Sequence, residues 1–189
     1  MRKSFGVQTW LYPMPVLIIG TYNEDGTPNA MNAAWGNICD YTKITLTLGN
    51  DHKTTKNILA RKAFTVSPAT EAQLLGADYV GIVSGNDVPD KFAKAGFTAT
   101  KSGKVDAPLI NELPMALECR LISFDEETEI LIGEIVDICA DESVLGEDGK
   151  PSAEKLNPIS FDPVHAQYRV LGGVVGNAFR DGRKLEGKE

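Results

Sequence analysis

Cysteine and histidine are scarce in this chain. Its three cysteines, Cys39, Cys119 and Cys139, are odd in number and widely spaced, and no Cys-x-x-Cys pair occurs. This excludes a disulfide framework and a cysteine-based zinc site, and it predicts reduced thiols in a cytoplasmic protein. Only His52 and His165 are present, too few for a multi-histidine metal centre. Long apolar runs are missing too. "VLIIG" and "ILIGEIVDI" are strand-sized, far below the roughly 18 residues of a membrane span. "MRKSFGVQTW" carries two basic residues with no apolar stretch behind them, so no secretory signal is expected. Positive charge is in deficit: the formal net charge is −7. A general nucleic-acid binder needs many Lys and Arg facing phosphates, so that class is excluded, although one local basic pocket is not. No Gly-x-Gly-x-x-Gly opens a helix after a strand, and no P-loop pattern occurs. Internal repeats and low-complexity linkers are absent.

What remains is an ordinary globular composition. With 189 residues, the chain is read as one domain, residues 1–189, with one sizeable core. "PVLIIGTYNEDGTPNAMNAAW" reads as strand, turn, strand, with Gly26 able to take positive φ in the turn. "YTKITLTLGN" alternates Ile44, Leu46 and Leu48 with threonines, which is the pattern of a half-buried strand. "TTKNILARKAF" starts as a helix with Ile58 and Leu59 as its apolar side, and "AFTVS" is a short strand. "PATEAQLLGADYVGIVSG" and "VPDKFAKAGFT" read as two short helices. "PMALECRLISFDEETEILIGEIVDICAD" holds two long strands joined at "DEET", with a bulge expected at Gly133. "LGEDGKPSAEKLNP" reads as a polar loop, "AQYRVLGGVVG" as a last strand with a glycine break, and "RDGRKLEGKE" as a solvated tail. Many strands in hairpin order with few short helices predict a mainly β, antiparallel barrel rather than a doubly wound parallel sheet.

Two segments could carry chemistry. In "GNDHKTTKNILA" a helix beginning near Thr54 would leave its first N–H groups free and positively polarised, an anion site. Thr54 and Thr55 add hydroxyls, and Lys53 adds a full charge. The plainer reading makes Thr54 an N-cap and the lysines solvated. In "GTPNAMNAAWGN" the small Ala30, Ala33 and Ala34 let a flat ligand approach the backbone. There Asn29 and Asn32 can donate and accept hydrogen bonds, and Trp35 can border an aromatic ring. The plainer reading is a strand edge with one core tryptophan. Nucleophile patterns are weak: Cys39 reads as a buried apolar residue and His165 as structural or superficial. Glu126/Glu127 and Asp141/Glu142 read as solvated turn acids.

Taken together, the segments resemble the flavin reductase-like FMN-binding family, and within it the flavoredoxins. The resemblance rests on Pro15, Val16, Gly20 and Thr21, then Pro28, Asn29, Ala30, Ala34 and Trp35, then His52, Thr54, Asn57 and Ile58. It extends to "DKFAKAGFT" and "YRVLGGVVGNAFRDGRKL". It implies an FMN-binding split β-barrel that forms a homodimer, with FMN at or near the subunit interface. It would place the FMN phosphate at Lys53, Thr54, Thr55 and the backbone of His52. The isoalloxazine and ribityl would lie near Asn29, Ala30, Met31, Asn32 and Ala33, with Trp35 close by and Asn50 and Asp51 lining the turn. An acid such as Asp51 beside a dianion is unfavourable, so its side chain is expected to face away or to bind ribityl hydroxyls. Phe161 and Tyr168 of the second subunit are candidates to cover the flavin. The implied activity is redox, needing no side-chain acid or base. It is either a reductase fed by NADH or NADPH or an electron carrier fed by a redox protein partner. The alternative is a non-redox binder of a small molecule or another cofactor on the same barrel. No nucleic acid and no membrane enter either reading.

Overall fold

The computed structural model describes residues 1–186; the last three residues of the expected solvated tail lie outside the described residues. Strand β1 (Met14–Pro15) and the hairpin of β2 (Leu17–Tyr22) and β3 (Pro28–Ala33) come first. β2 and β3 pair antiparallel from Leu17↔Ala33 to Tyr22↔Pro28, and Gly26 in their turn has φ of 84°. Then follow β4 (Gly36–Asp40), β5 (Lys43–Thr47), helix α1 (Lys53–Arg61), β6 (Ala63–Pro68), α2 (Leu74–Ile82) and α3 (Lys91–Lys94). The short strands β7 (Ala99–Lys101) and β8 (Pro108–Ile110) precede the long hairpin of β9 (Met115–Asp125) and β10 (Ile130–Ala140). Helix α4 (Ala153–Leu156), β11 (Ile159–Asp162) and β12 (Gln167–Val170) complete the order.

Seven strands form one curled antiparallel sheet in the order β3-β2-β6-β9-β10-β5-β4. Its two edges, β3 and β4, are consecutive in sequence, which is how a sheet half-closes on itself. One core fills the inside of the curl. Ile19, Leu46, Leu48, Ile58, Phe64, Val66 and Leu131 are all buried there, each contributing about 1.5–3 kcal/mol by leaving water. The bulge expected in β10 is present between Ile132 and Gly133. A Cβ at Gly133 would lie 2.4 Å from the Phe64 ring, so the core itself demands glycine there. A second core, with Val16, Ile18, Ala30, Val80, Phe92 and Phe97, lies between the β2–β3 hairpin and helices α2 and α3. It pins both helices beside β3.

Several features differ from expectation. Cys39 is exposed rather than buried, because β4 is a terminal strand and four of its five residues face solvent. The last strand stops at Val170, before the glycines. It pairs with β11, and β11 with β1, forming a separate three-stranded sheet. The expected polar loop contains α4, capped by Ser152, whose hydroxyl accepts from the Lys155 N–H.

Candidate functional site

Helix α1 starts one residue earlier than its pattern predicts. His52 is the N-cap, Lys53 is the first helical residue, and no side chain caps the turn. Thr54 is therefore not the cap. Its hydroxyl accepts a hydrogen bond from the Asn29 amide at 2.8 Å, so it is tied to β3. The N–H groups of the first turn lack intrahelical acceptors, and the turn holds no acidic residue. The buried side of α1 is polar at this end: Thr54, Thr55 and Asn57 are buried beside Ile58, while Leu59 is only partly covered.

The polar burial is satisfied by a local network. Asn29, 4% exposed, also donates to Thr21 Oγ1 at 3.3 Å. Asn57 donates to Thr21 Oγ1 at 3.1 Å and to Asn23 Oδ1 at 2.9 Å. Thr55 donates to the Gly49 carbonyl at 2.8 Å. Each buried pair contributes about 1 kcal/mol, and orphaning one partner costs more. The network fixes where the open first turn of α1 points.

It points into a cavity of about 250 Å³. One wall is Met31 and Asn32 of β3, and the end is His52, Lys53 and Thr54. The opposite wall is Val80 to Gly85, and Lys91 of α3 closes the base. β3 is an edge strand of the sheet, so its outer edge has backbone groups without ladder partners. A Cβ at Gly85 would come within 2.7 Å of Asn29 Oδ1, and one at Gly81 within 3.0 Å of Asn32 Cβ. Glycine is thus what lets this wall approach β3. A second recess of about 250 Å³ shares Asn32, Gly81 and Ile82 with the first, and adds Val16, Ala34, Asp78, Phe161 and Tyr168. Joined, the two reach the size range of small-molecule sites, roughly 300–1,000 Å³.

The charge in the first cavity runs against the chain as a whole. Two lysines and a histidine line it with no carboxylate among the described residues, in a protein of net charge −7. Lys91 is 3% exposed. Its ammonium donates to the carbonyls of Val83 at 2.9 Å and Val80 at 3.3 Å. Burial pushes its pKa down to about 8. In the second recess the Tyr168 hydroxyl donates to Asp78 Oδ1 at 2.7 Å. Burial, and then this bond to Asp78, raises the Tyr168 pKa to about 12.

Of the residues singled out from sequence, Met31, Asn32, His52, Lys53 and Thr54 meet around this cavity. Asn29, Ala30, Ala33 and Thr55 are buried and do not line it. Trp35 is 56% exposed and lines neither recess. Asn50 is held away by Glu129 Oε1, which accepts from its N–H at 2.9 Å, and by the Glu126 carbonyl. The Asp51 side chain is 93% exposed and turned to solvent. Phe161 and Tyr168 line the second recess of their own chain. Sequence reasoning missed the whole Val80–Gly85 wall and Lys91. The one available signal was a lysine directly before phenylalanine in "DKFAKAGF", a place where the chain turns inward.

The fold is shared with known proteins. The flavin reductase like domain matches residues 9–162. The structure of flavoredoxin from Desulfovibrio vulgaris (Miyazaki F) superposes with a TM-score of 0.92 at 42% identity, covering 96% of this chain and 100% of that one. Flavoredoxin from Methanosarcina acetivorans gives a TM-score of 0.86 at 26% identity, covering 97% and 100%. An uncharacterized protein of Aquifex aeolicus (strain VF5) is 26% identical over 159 residues, covering 78% of this chain and 79% of that one.

Proposed function

Because the chain belongs to the flavin reductase like domain family, we propose that it is an FMN-binding redox protein of the flavoredoxin type, passing electrons between redox partners. The observation that carries this reading is the open, acid-free first turn of α1, aimed with Lys53 into a cleft along the β3 edge. A phosphate dianion suits that turn. Its N–H groups and Lys53 supply charge-assisted contacts of about 1.5–3 kcal/mol each. Gly81 and Gly85 bring the facing wall into contact with Asn32 and Asn29, which closes the cleft along that side. FMN, when bound, supplies the hydride and electron chemistry, and the protein orients it and tunes its charge.

The chain's own residues do three things. The Asn29–Thr21–Asn57 network keeps the α1 turn aimed at the cleft. Asn32 is held by its bond from Nδ2 to the Ala77 carbonyl at 3.0 Å, which fixes the wall shared by the two recesses. Phe161, Ile82 and Val16 supply the apolar side of the second recess, opposite the polar Asn32, Asp78 and Tyr168 in its lining. No proton-transfer pair is required.

A second reading, reduction by NADH or NADPH, is favoured by that adjoining recess, which leaves room for a planar donor next to the cleft. The test is the absorption spectrum of the purified protein, followed by NADH and NADPH added separately without oxygen. Visible flavin bands that persist until dithionite is added support the carrier. Rapid bleaching by one nucleotide supports the reductase. Absence of flavin together with no binding of added FMN sinks both and leaves the non-redox binder.

The working unit in this proposal is a homodimer. Its support is the apolar surface left uncovered in one chain: Trp35, Ile38 and Tyr41 at the β4 edge, and Ile122, Ile130 and Ile138 on β9 and β10. Sedimentation at micromolar concentration checks it. The cytoplasm is the proposed location, supported by three unpaired thiols. No helix among the described residues is long and apolar enough to cross a membrane.

A further inference from the structure

Lys91 is the strongest unused group in the molecule. It is almost fully buried, yet no carboxylate answers its charge among the described residues. Asp90, the N-cap of its own helix, pairs with Lys94 at 3.0 Å. Asp78, on the neighbouring α2, accepts from Tyr168. Two of the three ammonium donors are used, by the carbonyls of Val80 and Val83 at the end of α2. The third has no protein acceptor among the described residues, and the side chain lines the cleft.

A helix C-terminus is negatively polarised, so α2 offsets part of the cost of burying this cation and holds it in place. The remaining charge acts on whatever fills the cleft. Two-electron reduction of a flavin with uptake of one proton leaves its ring system one unit more negative. A fixed, desolvated cation favours that product over the oxidised form.

We infer that Lys91 is a cofactor-contacting residue whose ammonium holds the polar edge of the bound flavin and weights it toward the reduced state. The inference rests on the FMN reading above. It assigns a second cationic pole to the cleft, distinct in role from Lys53: Lys53 sets how tightly the phosphate is held, and Lys91 sets the redox balance.

The test uses the full-length FMN-loaded protein and its K91M, K91Q and K91R variants. Oxidised FMN affinity is measured by flavin fluorescence quenching. The midpoint potential is measured at pH 7 by dithionite titration against a reference dye. The expected result is that K91M and K91Q lose about tenfold in affinity for reduced relative to oxidised flavin, a drop of about 30 mV for a two-electron couple. K91R, which keeps the charge, recovers most of it. A purely helix-capping role would leave K91Q, which keeps a donor, like the wild type. Coinciding midpoints for wild type, K91M and K91Q overturn the inference alone. Failure of the wild type to bind FMN overturns it together with the reading it rests on.

Discussion

Two lysines enter the cleft at opposite poles of the helix dipole. Lys53 is the first residue of α1, where the helix end is already positive. Lys91 sits at the carbonyl end of α2, where the helix end is negative. The first placement costs about 0.3–1 kcal/mol in the absence of a ligand and is offset only when an anion arrives. The second is locally satisfied but desolvated. A cation at the wrong pole of a helix is stabilised when an anion joins it, whereas a cation at the right pole becomes informative only once its burial is known.

The largest loss is expected at the α1 pole. Replacing Lys53 and Thr54 together by alanine removes the charge and loosens the tie to Asn29. FMN affinity is expected to fall by roughly 100-fold or more, from two lost contacts of about 1.5–3 kcal/mol each. Fluorescence titration measures it, and K53A alone separates the charge from the tie.

The α2 pole yields a pH signature. The folded pKa of Lys91 is about 8 against an ordinary 10.5, so between these values the unfolded chain binds more protons. Stability therefore rises with pH across that window as the cost of burying the charge is relieved. The increment is at most about 3 kcal/mol. Tyr168 titrates with the opposite sign above pH 10, so the contribution of Lys91 is read from urea unfolding of wild type minus K91M from pH 7 to 10. An unchanged difference over this range contradicts the buried-cation account.

The support beneath the poles is sharpened by Asn29→Leu. It removes the donor to both Thr21 and Thr54, and a loss of about 1–3 kcal/mol is expected. Chemical denaturation checks the loss, and a stability equal to wild type would remove the network from the argument. The smallest effect on flavin binding is expected away from the first cavity, at Asp162, which does not line it. It accepts from Tyr12, Arg169 and His165, and the Tyr12 hydroxyl is foremost in holding its carboxyl well below the usual range. Its stabilisation is complete above about pH 4 and is lost as pH falls further. D162N is expected to flatten the acid limb of thermal unfolding.

The same contrast explains what was legible in the sequence. Ile44 and Leu46 of β5, with Leu48 just after it, alternate because one face of that segment is buried, and Gly26 marks the β2–β3 turn because that turn needs positive φ. The α1 pole was legible for a similar reason: its charge, hydroxyls and helix start are adjacent in the chain. β4 was illegible because an edge strand facing solvent carries little alternation. Lys91 and the Gly81–Gly85 wall were illegible because a cleft wall forms only when α2 and α3 pack against β3. Buried amides such as Asn29 and Asn57 are indistinguishable in sequence from ligand contacts, because both demand the same hydrogen-bonding chemistry.

The FMN reading stands on a phosphate held at the α1 turn. The direct measurement is the dissociation constant of FMN against that of riboflavin for the wild-type protein, by fluorescence quenching in the same buffer. FMN is expected to bind about 100-fold more tightly, the worth of roughly 3 kcal/mol from two charge-assisted contacts. Equal affinities would contradict the account and reduce the turn to a helix start with solvated lysines.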